Sequence, residues 1–275
     1  DISFTQVHNS GDDGIEIFGG VVNMKNVIIS GALDDSLDTD EGWQGNVQFL
    51  LVRQTVGGRT GGPDRMFEWS NRAVSSLAGT LHTNPTISNF TLVGVNQNAS
   101  NVNLQAISFN NTGGTPGGSG RLANGVVTGS NVCASLSTAN TSPAPRFDSI
   151  LFNCPGGLDS ASTTLINGGA NNTTTTPSTL SGFLPGANEN ARAALNPTTL
   201  GAFFTAANYI GAFASTETAT SNWATSWSFN VFPNPGCPTG TTEAGTIAGQ
   251  RRCLLAGMLG GTTAGEASVT VVAGS

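Results

Sequence analysis

Lysine is almost missing from this chain: Lys25 stands alone beside nine arginines. So little positive charge leaves no polybasic surface to neutralise phosphates, and nucleic-acid binding is excluded as an expectation. Charged residues of both signs reach only 10%, against roughly 25% in ordinary proteins, which excludes a coiled coil or charged helical bundle. No stretch approaches the ~18–20 apolar residues of a membrane-spanning helix. Histidine is limited to His8 and His82. Neither sits in a context that founds a Ser-His-Asp triad, and both read as solvated turn residues. The run Gly113–Gly118 lacks the Lys-Ser/Thr ending of a phosphate loop.

Cysteine is sparse and lacks Cys-x2-Cys spacing, so zinc is a poor reading. Its four residues fall into two local pairs, Cys133 with Cys154 and Cys237 with Cys253, each closing a loop rich in small polar residues. Two disulfides are expected, and with them an exported protein, secreted or at the cell surface. The chain opens on Asp1-Ile2-Ser3-Phe4 with neither a methionine nor a signal peptide, which reads as processing or an internal starting point.

Glycine is what the sequence has most of, 37 of 275 residues, about twice its usual share. Acid comes next in interest. The net charge is −7, and 11 of the 17 Asp and Glu lie within residues 1–68. A repeat organises the same region at a spacing of 22 residues. Asp12-Asp13-Gly14-Ile15-Glu16-Ile17 recurs as Asp34-Asp35-Ser36-Leu37-Asp38-Thr39, with Gly20 matching Gly42, Asn26 matching Gln48, and Val27-Ile28-Ile29 matching Phe49-Leu50-Leu51. A third copy, Asp64-Arg65-Met66-Phe67-Glu68-Trp69, follows the glycine-rich insertion 56–62. Ile87-Ser88-Asn89-Phe90-Thr91-Leu92 resembles Met24-Lys25-Asn26-Val27-Ile28-Ile29, and weaker copies begin at Asn124 and Phe147.

Each unit holds short apolar runs alternating with polar residues, the strand period of two, separated by Gly, Asn and Asp. That is one coil of a parallel β-solenoid, in which equivalent residues of successive coils stack about 4.8 Å apart. The fold expected is all-β: a right-handed parallel β-helix with a loop-rich, disulfide-braced C-terminal part containing short helices. The coils are assigned to residues 1–155 and the C-terminal extension, which packs on or caps them, to 156–275.

In this register Ile15, Leu37 and Phe67 form one inward ladder, and Ile17, Thr39 and Trp69 the next. Glu16, Asp38 and Glu68 must point outward, with Asp12, Asp34 and Asp64 stacked at the preceding turn beside Asp13, Asp35 and Arg65. Like charges about 5 Å apart repel by a few kcal/mol per pair. A hard cation, Arg65, or shared protons at raised pKa would offset this. Calcium held by Asp34, Asp38, Asp64 and Glu68 suits the oxygen-rich set. Turn residues bonding neighbouring backbone N–H groups explain the same acids without a ligand. Asn26, Gln48 and Asn89 read as a structural amide ladder.

The quoted acidic motifs, extended to Gly11-Asp12-Asp13-Gly14-Ile15-Glu16-Ile17-Phe18-Gly19-Gly20 and Asp34-Asp35-Ser36-Leu37-Asp38-Thr39-Asp40-Glu41-Gly42-Trp43-Gln44-Gly45, resemble those of bacterial exported proteins and lipoproteins with right-handed parallel β-helix repeats. The late segment Asn208-Tyr209-Ile210-Gly211-Ala212-Phe213, with Trp223 and Trp227, is similar to that group's C-terminal pattern. The resemblance covers roughly residues 1–95 and 200–230. It implies the β-helix and export, and it carries no reaction and no catalytic residues.

Three functions are therefore weighed. The first is a structural or adhesive β-helix of the cell surface or extracellular matrix, self-associating head to tail or by strand exchange, end to end into filaments. The second is a polysaccharide lyase or glycoside hydrolase using Asp34, Asp38 and Glu68 with Arg65 or Arg53. The third is a glycan-binding module built on Trp223, Trp227, Phe229 and Phe232, for which packing is the plainer reading. A short helix is expected over Ala187–Leu195 with Asn196-Pro197 ending it, a packed segment over Thr199–Ala214, and a strand over Ala267–Ala273.

Overall fold

The computed structural model describes residues 1–55, 64–71, 82–95, 104–109, 118–136, 143–232, 241–247 and 250–255. The glycine-rich insertions, Cys237, the Pro233-Asn234-Pro235 segment and the strand expected over 267–273 lie outside them. So does the Cys237–Cys253 pairing, since β13 is described by its backbone alone.

Six coils wind in one direction. The long strands are β1 (Ile2–His8), β3 (Met24–Ser30), β5 (Asn46–Arg53), β7 (Thr86–Val93), β9 (Arg121–Thr128) and β11 (Arg146–Asn153). They pair in sequence order into one all-parallel sheet. The short strands β2 (Ile15–Phe18), β4 (Leu37–Asp40), β6 (Phe67–Trp69), β8 (Gln105–Phe109) and β10 (Val132–Leu136) form a second parallel sheet. The fold is the expected right-handed parallel β-helix. β12 (Thr241–Ile247) and β13 (Gln250–Leu255) pair antiparallel as a separate hairpin.

Each long strand bends at one left-handed residue: Phe4, Asn26, Phe49, Asn89, Asn124 and Ser149, with φ between 49° and 61°. These six stack in register. Asparagine tolerates this conformation best among residues with a side chain. The amide ladder therefore differs from the expected one by a single residue. Phe49, not Gln48, lies between Asn26 and Asn89, and Gln48 joins the Lys25 and Ser88 column. The cause is the turn of coil 2. Five residues separate Phe18 from Met24, whereas six separate their partners Asp40 and Val47. The longer turn holds Trp43, fully buried, its Nε1 donating to the Val22 carbonyl at 3.0 Å.

Inward residues make one continuous core, including Val27, Leu50, Phe90 and Ile150 on the long strands and Leu37, Phe67, Ile107 and Ala134 on the short ones. A Cβ at Gly125 would meet the Phe90 ring at 2.2 Å, so glycine there makes room for that ring.

Past coil 6, α1 (Ser160–Gly168) is capped by Asp159, whose carboxylate accepts the N–H of Ser162 and, with its other oxygen, that of Leu136, both at 2.7 Å. Ile166, Leu165 and Ala161 pack on the core, so α1 closes this end. Cys133 on β10 is disulfide-bonded to Cys154 after β11, joining coils 5 and 6. Thr173 then adds a single rung beside Leu151.

Residues 174–232 double back over the outer side of the long-strand sheet as a strap. Stacked polar side chains hold it rung by rung: Asn153 to Ser178, Asn124 to Leu195, Lys25 to Phe203, Gln48 to Thr205, Asn89 to Tyr209, and Gln6 to Phe229. Outward-facing Ile28 and Leu51 bury against Phe213 and Ala224, with Trp223 and Trp227 beside them, and Val126 and Leu151 bury against Ile210. The late aromatics are packing. Phe213 stacks on Trp223 at 5.0 Å, and both indole N–H groups donate to strap carbonyls.

The helix expected over Ala187–Leu195 shrinks to one turn, α2 (Ala187–Asn190). Asn124 grips both the N–H and the carbonyl of Leu195 at 2.8 Å, which holds that backbone out of a helix, and Asn196 instead caps the 3-10 turn Pro197–Leu200. His8 is not a solvated turn residue either: it lies in β1, bonded to the Ser30 hydroxyl and packed on Phe229 at 4.8 Å.

Candidate functional site

The acids collect on the outer face of the short-strand sheet, over coils 1–3. β2, β4 and β6 place Glu16, Asp38 and Glu68 in one outward column, continued by Ser108 and Ser135 in coils 4 and 5. The turn before them stacks Asp12, Asp34 and Asp64 through backbone bonds from coil to coil. Asp13 and Asp35 tie the coils together: Asp13 Oδ1 accepts the N–H of Asp35 at 2.9 Å, and Asp35 Oδ1 accepts that of Arg65 at 2.6 Å. Arg65 Nη1 then pairs with both Asp64 (2.9 Å) and Glu68 (2.8 Å).

One arginine does not balance eight carboxylates, and protons make up part of the difference. Burial raises Asp13 to about 6, reinforced by the charges of Glu16, Asp34 and Asp12. Burial raises Asp38 to about 7, reinforced by Glu68, Asp13 and Glu16. Asp35, only 4% exposed, is raised by burial and by a hydrogen bond shared with Glu68. One carboxylate oxygen of Asp38 is buried without a hydrogen-bond partner.

The four residues expected to share a cation are not in one group. Asp34 and Asp64 meet with Asp35, whereas Asp38 meets Asp13 and Glu16, each trio with oxygens within 4.8 Å of one another. Glu68 turns to Arg65 and Asp35. Arg53, the alternative base, is elsewhere: its Nη1 donates to the Asn230 carbonyl at 3.0 Å under the strap. Lys25 likewise donates to the Phe203 carbonyl at 2.9 Å. Asp13 and Asp35, which the repeat places beside the turn stack, link the coils through their side chains. Their position one residue after Asp12 and Asp34 in each copy is the sequence signal for that role.

The model of a family described as a pectate-lyase-like beta helix domain matches residues 1–228, coils and strap together. The chain belongs to that family. No curated protein and no solved structure matches it. Among the described residues Arg65 is the one cation paired with the carboxylates of the acid face.

The raised pKa values set a direction for stability. A carboxyl with a raised folded-state pKa binds its proton more tightly folded than unfolded, so its contribution is complete below the unfolded value near 4 and is lost as pH rises through the folded one. The loss runs from about 4 through about 6 for Asp13 and about 7 for Asp38, and further for Asp35. Glu189 on the strap has the opposite sign. Burial pushes it up, but four donors together outweigh burial and hold it below the usual carboxylate range, and its contribution is lost in acid. Melting temperature is expected to be higher at pH 5 than at pH 8. Asp38→Asn should raise stability at pH 8 by about 1–2 kcal/mol after solvent screening, and leave pH 5 nearly unchanged. Equal effects of Asp38→Asn at the two pH values would contradict a protonated Asp38.

Proposed function

We propose that the protein is a structural or adhesive β-helix working outside the cell, its acid face serving as part of the wall and not as a reaction centre. The observation that carries this is the use already made of the groups a reaction would need. Asp13 and Asp35 accept backbone N–H groups of the next coil, and Arg65 is held between Asp64 and Glu68. A guanidinium paired with two carboxylates and never deprotonated is no base for a lyase. Export is supported by the disulfide and by the family's β-helix fold.

Self-association, head to tail or by strand exchange, belongs to the same reading, and the mass of the native particle in solution tests it. Calcium fits Asp13, Glu16 and Asp38 better than the four residues first expected, because that trio holds the unpartnered oxygen. Bound there, it would supply charge neutralisation between coils and raise the melting temperature at pH 8 in chelator-reversible fashion.

A glycoside hydrolase is the second reading, favoured by Asp38: a carboxyl titrating at about 7 beside Glu16 and Glu68 is suited to donate a proton. A panel of neutral and uronate polysaccharides separates the two. The structural reading expects no release of reducing ends or unsaturated products above the Asp38→Asn background. Release that falls by about 100-fold or more in Asp38→Asn would replace it with the hydrolase.

A further inference from the structure

Asparagine followed by glycine is the dipeptide in which a side-chain amide is most open to attack by the next backbone nitrogen, because no Cβ shields that nitrogen. The chain holds it twice, as Asn124-Gly125 and Asn167-Gly168. The fold puts the two copies in opposite circumstances. Asn124 is fully buried, and both ends of its amide are committed. Its Oδ1 accepts the Leu195 N–H at 2.8 Å, and its Nδ2 donates to the Leu195 carbonyl at 2.8 Å and the Ser88 hydroxyl at 3.3 Å. Gly125 lies in the middle of β9, against the Phe90 ring.

Asn167 and Gly168 are the last two residues of α1, and both are exposed. Among the described residues none holds the Asn167 side chain by a hydrogen bond. A Cβ built on Gly168 would have nothing within 4 Å, so the amide has room to swing over its own backbone. The attack needs dihedrals outside the helical range, and it therefore starts from a frayed last turn. Helix ends fray readily, and the glycine pair Gly168-Gly169 lowers the cost.

We infer that Asn167 is a site of spontaneous covalent modification, a deamidation through a cyclic imide that takes water and needs no enzyme. The Gly168 nitrogen gives its proton to solvent and forms a bond to Asn167 Cγ. The Cγ–Nδ2 bond breaks, and Nδ2 leaves as ammonia, taking up a proton in exchange. Water then opens the imide at either carbonyl. One opening restores the backbone with aspartate at position 167, and the other leaves the chain running through the side chain as isoaspartate. Overall one water is consumed and one ammonia released, and nothing is oxidised or reduced. Asn124-Gly125 is the same dipeptide with this route closed by its hydrogen bonds and its burial.

The product changes a turn on which other parts of the fold depend. α1 closes the core at coil 6, and its last turn holds no basic residue. A carboxylate there meets the negative end of the helix dipole. Isoaspartate also adds a methylene to the backbone between Ile166 and Gly169, whose carbonyl and N–H close the turn at 3.2 Å. Asn172 Nδ2 donates to the same Ile166 carbonyl at 2.8 Å, and Asn172 also binds the Phe147 carbonyl and the Ile150 N–H on β11. A change at Asn167 is thereby passed to the last coil, and this turn is a slow chemical clock on the cap. The inference rests on neither reading of the acid face.

The test is incubation of the intact folded protein in warm, mildly alkaline buffer, with reduction and tryptic digestion at intervals. Cleavage after Arg121, Arg146 and Arg192 puts Asn124 in residues 122–146 and Asn167 in residues 147–192, and a digest before incubation sets the background. Fragment masses are expected to place aspartate and isoaspartate at Asn167, at a rate within about tenfold of the guanidinium-unfolded chain. Asn124 should react at least about a hundredfold more slowly than in that chain. Gly168→Ala should slow the reaction at Asn167 by about tenfold or more, since its Cβ shields the nitrogen and alanine favours the helix. Asn167→Asp, which supplies one product outright, should lower the melting temperature by about 1–4 °C and raise hydrogen exchange in α1 and β11. An intact Asn167 after the unfolded chain has reacted, equal rates at Asn124 and Asn167 in the folded protein, or no slowing in Gly168→Ala would overturn the site. Unchanged melting and exchange in Asn167→Asp would overturn its coupling to the last coil.

Discussion

Replacing Cys133 and Cys154 together by alanine is expected to lower the unfolding free energy by about 3 kcal/mol, the chain-entropy value for a closed loop of this size. The two cysteines are 21 residues apart in sequence. Their bond joins β10 to the end of β11, at the point where the last coil hands over to α1. Without it the unfolded chain regains the freedom of that loop, and Cys133, 1% exposed, leaves a small gap in the core. At about 2–4 °C per kcal/mol the melting temperature should fall by about 6–12 °C, and reductant should reproduce the fall in the native protein. Hydrogen exchange should rise first in β10, β11 and α1, because coils contact only their neighbours. An unchanged melting temperature in reductant would show that α1 and the Thr173 rung hold this end without the bond.

Asn124→Ala is expected to cost a comparable amount, about 3–4 kcal/mol, from two separable sources. The residue is fully buried and holds the Leu195 N–H and carbonyl at 2.8 Å each, so truncation leaves two strap groups without their partner. Its φ of 56° adds a backbone penalty for alanine, roughly 1 kcal/mol. Asn124→Gly removes the grip and keeps the conformation, so its cost should be smaller by about that last amount. Limited proteolysis distinguishes loss of grip from general unfolding. Both variants should become cleavable in the strap near Leu195 while the coils stay resistant. Equal costs for Ala and Gly would show that backbone conformation contributes nothing at this position.

The short-strand sheet was legible residue by residue, because Asp12–Ile17, Asp34–Thr39 and Asp64–Trp69 keep one spacing between turn acid and inward apolar residue. Their register in the structure is the one the repeat implies. The long-strand sheet was legible as an element but slipped by one residue at Gln48. A constant spacing carried across the 41–46 turn misses the one residue by which buried Trp43 lengthens it. The strap was the least legible, although its covering function had a signal. Val27-Ile28-Ile29 and Leu50-Leu51-Val52 are unbroken apolar triplets, and a strand exposed on one face would have alternated. Such triplets mean that both faces are covered, and Phe213, Trp223 and Ile210 are what covers them. At the acid face, composition and register located the residues. Which carboxylates pair, and which accept backbone N–H groups, depends on side-chain directions that spacing does not encode.

The strap's route also fixes an order of events during synthesis. Gln6 in the first coil receives its last partner from Phe229, 223 residues later. Ribosomes add about 5–20 residues per second, so roughly 10–45 s separate the two. For most of that interval Ile28 and Leu51 stand on a bare outer sheet face, because Ala212 and Phe213 have yet to appear, and only the inner side of coils 1 and 2 has anything to fold against. The wall can be laid down coil by coil as the chain appears, but its outer cladding comes last, and the earliest coils wait longest for it.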